Sequence, residues 1–217
     1  MLDQTLASLA NEIPGATAVF NKYQLSFCCG GQHTLKEAIA KFKLDESDLL
    51  TELHALANPE QLTCQPETLS DADLIDHILT RYHKVHRAQL TELRRLAARV
   101  ESVHGSHPAC PQGLSAHLDD MAQDLEQHML KEENILFPML SKGMGNMASG
   151  PISVMLHEHA EHQAALRKIV SLTQELSLPE GACNTWRALY FGLEEFMQDL
   201  ATHMHLENEI LFKRQLN

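Results

Sequence analysis

Apolar residues recur at helical spacing along most of the chain. Beyond Ser70, an apolar stripe with the 3.6-residue period of an α-helix runs to about Val103. The same period predicts three further long helices: 114–140, 151–176 and one from Gly181 to about Lys213. Short stretches with glycine or proline separate these helices, so neighbours should run antiparallel. The pattern therefore predicts an up-down-up-down four-helix bundle.

Shorter helical patterns precede the bundle. Within residues 1–57, glycines and Pro14 interrupt the apolar periodicity, and Thr34 and Glu37 have the spacing of a capping box at the start of a helix. Residues 58–69 contain two prolines and few apolar side chains, as expected of a linker. We therefore expect an all-α chain with three parts: a small N-terminal helical domain over 1–57, a linker over 58–69 and the four-helix bundle over 70–217.

Composition narrows the function classes. The formal net charge of −12 argues against a nucleic-acid partner, because phosphate backbones select for clustered Lys and Arg. No stretch approaches the roughly 20 apolar residues that span a bilayer, and the N-terminus lacks the pattern of a secretory signal. The five scattered cysteines fit reduced thiols. We expect a soluble, cytoplasmic protein with no membrane partner, whose fourteen histidines require an explanation.

One ten-residue pattern occurs twice. His-Met-x-x-Glu-x-x-Ile-Leu-Phe begins at His128 and again at His203, 75 residues later. In each copy the glutamate, Glu132 or Glu207, stands four residues after the histidine. On a helix this spacing places both side chains on one face, one turn apart. Two such faces can together surround one site.

A second repeat precedes the first. His83-x-x-His86 and His159-x-x-His162 lie 76 residues apart, each upstream of one copy of the longer pattern. The sequence thus contains two copies of one unit, a helix with histidines followed by a helix with His-x3-Glu. Four-helix bundles line their interior with metal ligands in this way. We interpret the repeats as a carboxylate-bridged pair of metal ions.

The predicted ligand set takes at least one imidazole from each long helix. Its members are His83, His128, Glu132, His159, His203 and Glu207. The two glutamates are the natural bridging ligands, and a solvent-derived oxo group can form a third bridge. Nitrogen and oxygen ligands together suit iron or manganese, whereas structural zinc favours thiolates. We expect two non-haem iron ions.

The other histidines leave alternatives open. His86 and His162 stand one turn from predicted ligands and could be ligands themselves, neighbours of ligands or surface residues. His104 lies 21 residues after His83, about 31 Å along a helix, which places it outside a single binuclear site. Asp124, Glu133 and Glu158 neighbour the site in sequence and could carry protons, but charged residues beside a ligand more often point to solvent, and we expect the same here. The histidines expected on the surface are His33, His54, His77, His107, His117, His157 and His205.

With these residues assembled, the chain resembles the hemerythrin-like di-iron proteins and, more narrowly, the RIC family (repair of iron centres). The resemblance covers nearly the whole chain. Besides the paired ligands, its motifs are Glu-Asn-Ile-Leu-Phe-Pro at 133–138, Gly-Pro-Ile-Ser-Val-Met at 150–155 and Lys-Tyr-Gln-Leu-Ser-Phe-Cys-Cys-Gly-Gly at 22–31. The Cys-Cys-Gly-Gly element is the most specific, because the small domain that carries it accompanies this family rather than ordinary oxygen carriers.

The resemblance implies the same six ligands and adds His104, which matches a histidine typical of the family. The chain departs from hemerythrins proper in the shorter spacing from His203 to Glu207. It also has Gln163 where a second histidine would stand four residues after His159. Fewer imidazoles imply a centre that holds iron less tightly.

Family membership implies restoration of iron-sulfur clusters damaged by nitric oxide or peroxide, by donation of iron to an iron-sulfur protein or a cluster scaffold. An enzyme that reduces nitric oxide, or a sensor that binds nitric oxide or oxygen, would use the same centre. The thiols of Cys28 and Cys29 could accept iron or a nitrosyl group, or could simply form a tight turn. The oligomeric state stays open, with a homodimer as one option.

Overall fold

The protein, represented by a computed structural model, is described over residues 1–13, 15–23, 25, 32–57 and 68–216. Within these residues the chain is all-helical apart from one isolated β-bridge, as the sequence predicts. Four short helices come first: α1 (Leu6–Glu12), α2 (Ala16–Lys22), α3 (Leu35–Phe42) and α4 (Glu46–Ala57). The predicted capping box before α3 is confirmed, since Glu37 N–H donates to Thr34 Oγ1 at 3.2 Å and Thr34 N–H donates to the Glu37 carboxylate at 2.9 Å.

Four long helices follow. α5 consists of Asp71–His77, Ile78–His83 and Lys84–His104, and α6 of Leu114–Lys131, Glu132–Leu136 and Phe137–Ser141. α7 is Ser149–Leu172, and α8 consists of Asn184–His205, Leu206–Leu211 and Phe212–Leu216. The middle segment of α5, α6 and α8 is π-helical. α5 packs closely against α6 and α8, and α6 packs against α7, whereas α7 and α8 approach each other at fewer points.

The predicted end of the third long helix is wrong by four residues. α7 ends at Leu172 rather than near residue 176, because Gln174, Glu175 and Leu176 adopt left-handed backbone angles with φ of 51°, 59° and 56°. Thr173 closes the helix, as its Oγ1 donates to the carbonyl of Ile169 at 2.8 Å and accepts from Leu176 N–H at 3.1 Å. A side chain that competes for backbone groups in this way terminates a helix that periodicity alone would extend.

The buried apolar residues form two clusters at different heights of the bundle. One includes Leu90, Met129, Leu166 and Met204 together with the N-terminal helices, and the other includes Tyr82, Leu136, Met155 and Ile210. On every long helix the predicted ligands lie in sequence between a member of one cluster and a member of the other. The polar layer is therefore enclosed by apolar packing above and below.

The N-terminal helices pack directly on the bundle. Leu9 and Phe20, both fully buried, belong to the same apolar cluster as Leu193 of α8. A buried polar contact accompanies this packing: Thr17 Oγ1 donates to the carboxylate of Glu92 on α5. Among the described residues, none of the helices combines the length and apolar content needed to cross a membrane.

We expect Thr17→Val to weaken the docking of the N-terminal helices. The change removes one of the two donors to Glu92 Oε1 and leaves the bond from Arg95 Nη2 at 2.7 Å, which should lower the free energy of unfolding by about 1 kcal/mol. Thr51→Val is the matched control, because Thr51 is exposed and its Oγ1 donates to the Ser47 carbonyl of its own helix; it should change stability by less than about 0.5 kcal/mol. Urea unfolding of both variants measures this, and equal effects would show that the contact does not stabilise docking.

Candidate metal centre

A π-turn occurs at the height of the predicted ligands in three of the four long helices. The N–H of Phe137 donates to the carbonyl of Glu132, and the N–H of Phe212 donates to that of Glu207, each five residues back. On α5 the corresponding bond joins Lys84 N–H to the carbonyl of Leu79. Such a turn inserts one residue and rotates the helix beyond it, so the glutamate and the Leu-Phe pair four residues later can both face inward; Leu136, Phe137, Leu211 and Phe212 are all buried. Turns of this kind are frequent at functional sites.

The structure brings all six predicted ligands together in the bundle interior. Each is 0 or 1 % exposed, although every one of them is polar. They form two groups whose candidate ligand atoms all lie within 4.8 Å of one another. The first group is His83, Glu132, His203 and Glu207; the second is His128, Glu132, His159 and Glu207. Both glutamates therefore belong to both groups.

The two glutamates direct one oxygen to each group. Glu132 Oε2 lies 3.4 Å from His83 Nε2, and its Oε1 lies 3.4 Å from His128 Nε2. Glu207 repeats the arrangement, with Oε1 3.2 Å from His203 Nε2 and Oε2 3.2 Å from His159 Nε2. This is the disposition that carboxylates need in order to bridge two cations.

The donor atoms of this cluster fit bound cations. Within the described part of the chain, six of these buried atoms have no hydrogen-bond partner: Nε2 of His83, Nε2 of His203 and both oxygens of Glu132 and Glu207. In addition, His128 Nε2 and His159 Nε2 face each other at 3.1 Å. Buried polar groups left unpaired cost several kcal/mol each. Cations at the centres of the two groups would satisfy all of them.

Outer residues fix the orientation of the imidazoles. His83 Nδ1 donates to Glu133 at 2.8 Å, and His159 Nδ1 donates to Asn208 Oδ1 at 2.7 Å. Glu133 and Asn208 each directly follow one of the two shared glutamates, so the internal repeat extends to this shell. With its Nδ1–H engaged, each ring presents the Nε2 lone pair to the interior.

The expectation that Glu133 and Glu158 point to solvent is wrong. Glu158 accepts from His128 Nδ1 at 2.9 Å and also pairs with Lys131, because the α6 and α7 faces that carry these residues pack together. His203 lacks such an acceptor, since its Nδ1 has no partner among the described residues. Instead Tyr82 stacks on the His203 ring, with centroids 5.5 Å apart.

His86 and His162 are buried, which eliminates the surface alternative for both. They lie outside the two candidate groups but beside them, with ring centroids 5.3 Å from His203 and 4.9 Å from His128. Each has an unpartnered Nε2 within the described residues. A chain of bonds fixes the proton of His86: its Nδ1 donates to Gln89 at 3.1 Å, and Gln89 donates to Asp199 at 2.9 Å.

Two further histidines lie away from the centre. His104 ends α5, where its Nε2 is 3.1 Å from Cys183 Sγ and its ring packs on Trp186. His117 contradicts its predicted surface position, because it is 6 % exposed and its Nε2 donates to the Ala165 carbonyl at 2.9 Å. The close packing of α6 on α7 buries this ring. Cys28 and Cys29 lie outside the described residues.

Burial keeps four of the interior imidazoles neutral, the form that ligates metals. It lowers the pKa of His83 and of His128 to about 4, and that of His86 and of His162 to about 3. His159 differs, because burial is outweighed by hydrogen bonding and by the negative charge of Glu207, which together raise its pKa. Burial, followed by repulsion from Glu207, raises the pKa of Glu132 well above its usual range. Without cations, a proton on Glu132 relieves the repulsion between the two carboxylates.

Comparison with known families supports these observations. Residues 74–214 match the family described as the hemerythrin HHE cation binding domain, and residues 2–57 match ScdA_N, a domain of unknown function. The fold and the site together therefore define a hemerythrin-type cation-binding bundle with a small N-terminal domain.

The chain is also similar to named relatives over nearly its whole length. It is 50% identical to the iron-sulfur cluster repair protein YtfE of Yersinia pseudotuberculosis (serotype IB, strain PB1/+) over 99% of this chain and 97% of the relative. The YtfE protein of Yersinia pestis (strain Pestoides F) shows the same identity and coverage. The chain belongs to the YtfE family of iron-sulfur cluster repair proteins. The resemblance inferred from its motifs is confirmed.

The lowered histidine pKa values predict acid sensitivity of the metal-free protein. Between about pH 6.5 and pH 4 these histidines bind protons in the unfolded chain but stay neutral in the folded chain. The free energy of unfolding therefore falls as the pH falls. We expect His86 and His162 to contribute roughly 1 kcal/mol each per pH unit below about pH 6.

Urea unfolding of metal-free protein at pH 4.5–7.5 tests this prediction. The double variant His86→Phe/His162→Phe should show a shallower dependence on pH than the unaltered chain. His33→Phe/His157→Phe is the control, because both of these histidines are exposed. Identical slopes in the unaltered and the His86/His162 proteins would contradict the assignment of buried neutral imidazoles.

Proposed function

We propose that the bundle holds two non-haem iron ions bridged by Glu132 and Glu207. One ion takes the imidazoles of His83 and His203, and the other takes those of His128 and His159. The observation that carries this proposal is that each glutamate directs one oxygen to each group of candidate ligands. Nitrogen and oxygen donors without thiolate suit iron.

We further propose that the protein repairs iron-sulfur clusters, the role that the names of its relatives give for them, and that the damage it repairs is caused by nitric oxide or oxidative stress. Iron is then the cargo, and an iron-sulfur protein or a cluster scaffold in the cytoplasm is its recipient. Ferrous iron stands low in the affinity order of divalent metals, so a site with few imidazoles and no thiolate can release it. Release should follow reduction, because ferric iron binds oxygen ligands more strongly.

The residues around the site are suited to a centre that binds iron and can also release it. Glu133, Glu158 and Asn208 hold three of the four imidazoles in place for loading. His203 Nδ1 has no hydrogen-bond partner among the described residues, and the rings of Tyr82, His83 and His86 hold the His203 ring by packing instead.

Two parts of this proposal rest on the sequence. The separate family matches to 2–57 and 74–214 support a division into domains over 1–57 and 70–217, joined by 58–69. Cys28 and Cys29 are proposed to accept iron or a nitrosyl group on the way to the recipient, since thiolates are ligands for both. Their replacement by serine should then abolish repair and leave the iron spectrum unchanged.

A second candidate function is binding or reduction of nitric oxide at the same pair of ions. It is favoured by the Nε2 atom of His162, which has no hydrogen-bond partner among the described residues. When this nitrogen carries the ring proton, it can donate a hydrogen bond to a small ligand beside the groups. Formation of nitrous oxide with turnover in the presence of a reductant would identify an enzyme. Reversible binding of nitric oxide or oxygen without loss of iron would identify a sensor.

Glu132→Gln tests the bridging role directly. An amide has one oxygen, so it cannot bridge two cations, and we expect iron content to fall from two ions per chain to one or fewer. Glu133→Gln is the matched control; Asn208 already performs the same outer role with an amide oxygen, so this variant should keep both ions. Metal analysis after loading without oxygen gives the answer, and full occupancy in Glu132→Gln would exclude a bridging carboxylate at this position.

Iron donation is tested with isotope-labelled protein. The reduced protein, loaded with ⁵⁷Fe, is mixed with a [4Fe-4S] protein previously damaged by nitric oxide or peroxide in medium that contains ⁵⁶Fe. We expect Mössbauer spectra to show ⁵⁷Fe in the restored clusters, and the oxidised protein to transfer it more slowly. Clusters rebuilt from ⁵⁶Fe alone would overturn donation.

A further inference from the structure

The internal repeat allows the two halves of the bundle to be compared position by position. Residues of α5 correspond to residues of α7 that lie 76 positions later, and residues of α6 correspond to residues of α8 that lie 75 positions later. Under this correspondence the ligand His83 matches His159, and its outer partner Glu133 matches Asn208. If the side chains around His83 and Glu133 differ from those around His159 and Asn208, the two metal positions therefore have different surroundings.

In the first half, an ion network covers the outer partner of His83. Arg87 lies one turn after His83, and its Nη1 donates to Glu133 at 2.9 Å. The same guanidinium donates through Nε to Glu126 at 2.7 Å and through Nη2 at 3.1 Å. Arg87 thus spans α5 and α6 and closes the surface above the bond from Glu133 to His83.

In the second half, the corresponding side chains are shorter or neutral. Gln163 stands at the position of Arg87, Ala201 at that of Glu126 and Asn208 at that of Glu133. A cleft of about 440 Å³ lies at this place between α7 and α8. Its lining includes Gln163, Leu166, Arg167, Ala201, Met204 and Asn208. These two helices are also the neighbours that approach each other least closely.

The cleft reaches the outer side of the candidate centre. Asn208, which is half-buried, lines it and accepts the Nδ1–H of His159 through Oδ1 at 2.7 Å. A molecule in the cleft would therefore be separated from a predicted ligand by one side chain. Rotation of Asn208 toward such a molecule would free the His159 ring.

The lining groups favour an anion rich in oxygen. Because Asn208 Oδ1 is engaged by His159, its amide NH₂ is the part that can donate to a molecule in the cleft. Gln163 offers a second amide, and Arg167 contributes an exposed guanidinium. Glu209 and His205 also line the cleft, but the Glu209 carboxylate pairs with Lys213. Carboxylates bind both these donors and iron.

We infer that the cleft between α7 and α8 admits a small di- or tricarboxylate chelator and is the exit for the iron held by His128 and His159. This inference rests on the proposed function, since it assigns the path of the donated iron. Ligand exchange requires no electron transfer: a carboxylate oxygen of the chelator bonds to the iron as the bond from iron to His159 Nε2 breaks. The iron held by His83 and His203 remains behind Arg87.

The test is the transfer of iron from the reduced, iron-loaded chain to excess citrate. We expect two phases of equal amplitude in the unaltered protein, the fast one from the cleft side. Gln163→Arg/Ala201→Glu rebuilds the closure of the first half and should slow the fast phase at least tenfold. Arg87→Gln/Glu126→Ala opens the first half and should accelerate the slow phase severalfold.

Charge recognition is tested separately with single surface changes. Arg167→Glu should slow transfer to citrate at least threefold and leave transfer to the neutral chelator 2,2′-bipyridine unchanged. Lys168→Glu is the matched control, because it makes the same change of charge at the next exposed position. This control should have no such effect.

These measurements distinguish failure of the proposed iron exit from failure of the proposed function. Iron content is measured before mixing; an unaltered chain that holds no iron would refute the proposed function. Two bound ions that leave in one phase, or a fast phase unaffected by both Gln163→Arg/Ala201→Glu and Arg167→Glu, would refute the exit and leave the iron centre intact.

Discussion

The structure depends on the burial of two carboxylates among four imidazoles at one height of a helical bundle. Glu132 and Glu207 have no exposed surface, and none of their oxygens has a hydrogen-bond partner among the described residues. In an apolar interior such an arrangement is strongly unfavourable unless cations are present. Apolar clusters lie on both sides of this layer. The arrangement of the remaining residues follows from this constraint.

The helices are modified where they approach the centre. A regular α-helix that turned His128 and Glu132 inward would drift away from the core over the next turn. A π-turn beginning at Glu132, and another that includes Glu207, restores the inward direction of the following apolar residues. The deviation from regular helix thus allows one segment to supply both a metal ligand and core packing.

Much of this arrangement could be predicted from the sequence, because the ligand pattern occurs in two copies along the chain. The four long helices, the six candidate ligands and the shared role of the glutamates follow from apolar periodicity and from His-x3-Glu spacing. The outer partners could not be predicted in the same way, since a residue such as Glu158 meets His128 only through the packing of α7 on α6. The repeat does carry one signal for these outer partners, because Glu133 and Asn208 occupy the same place in it. The end of α7 also depends on a local hydrogen bond of Thr173, which periodicity does not register.

The repeat is symmetric at the centre and asymmetric at its rim, where Arg87 closes one half and Gln163 leaves the other open. A centre with equal ligands but unequal surroundings can load two ions and release them unequally. The central claim is that two ions lie between the shared glutamates, and anomalous diffraction at the iron edge from crystals loaded without oxygen tests it most directly. The account predicts two peaks about 3.5–4 Å apart, one beside His83 and the other beside His159. A single peak, or peaks away from Glu132 and Glu207, would contradict it.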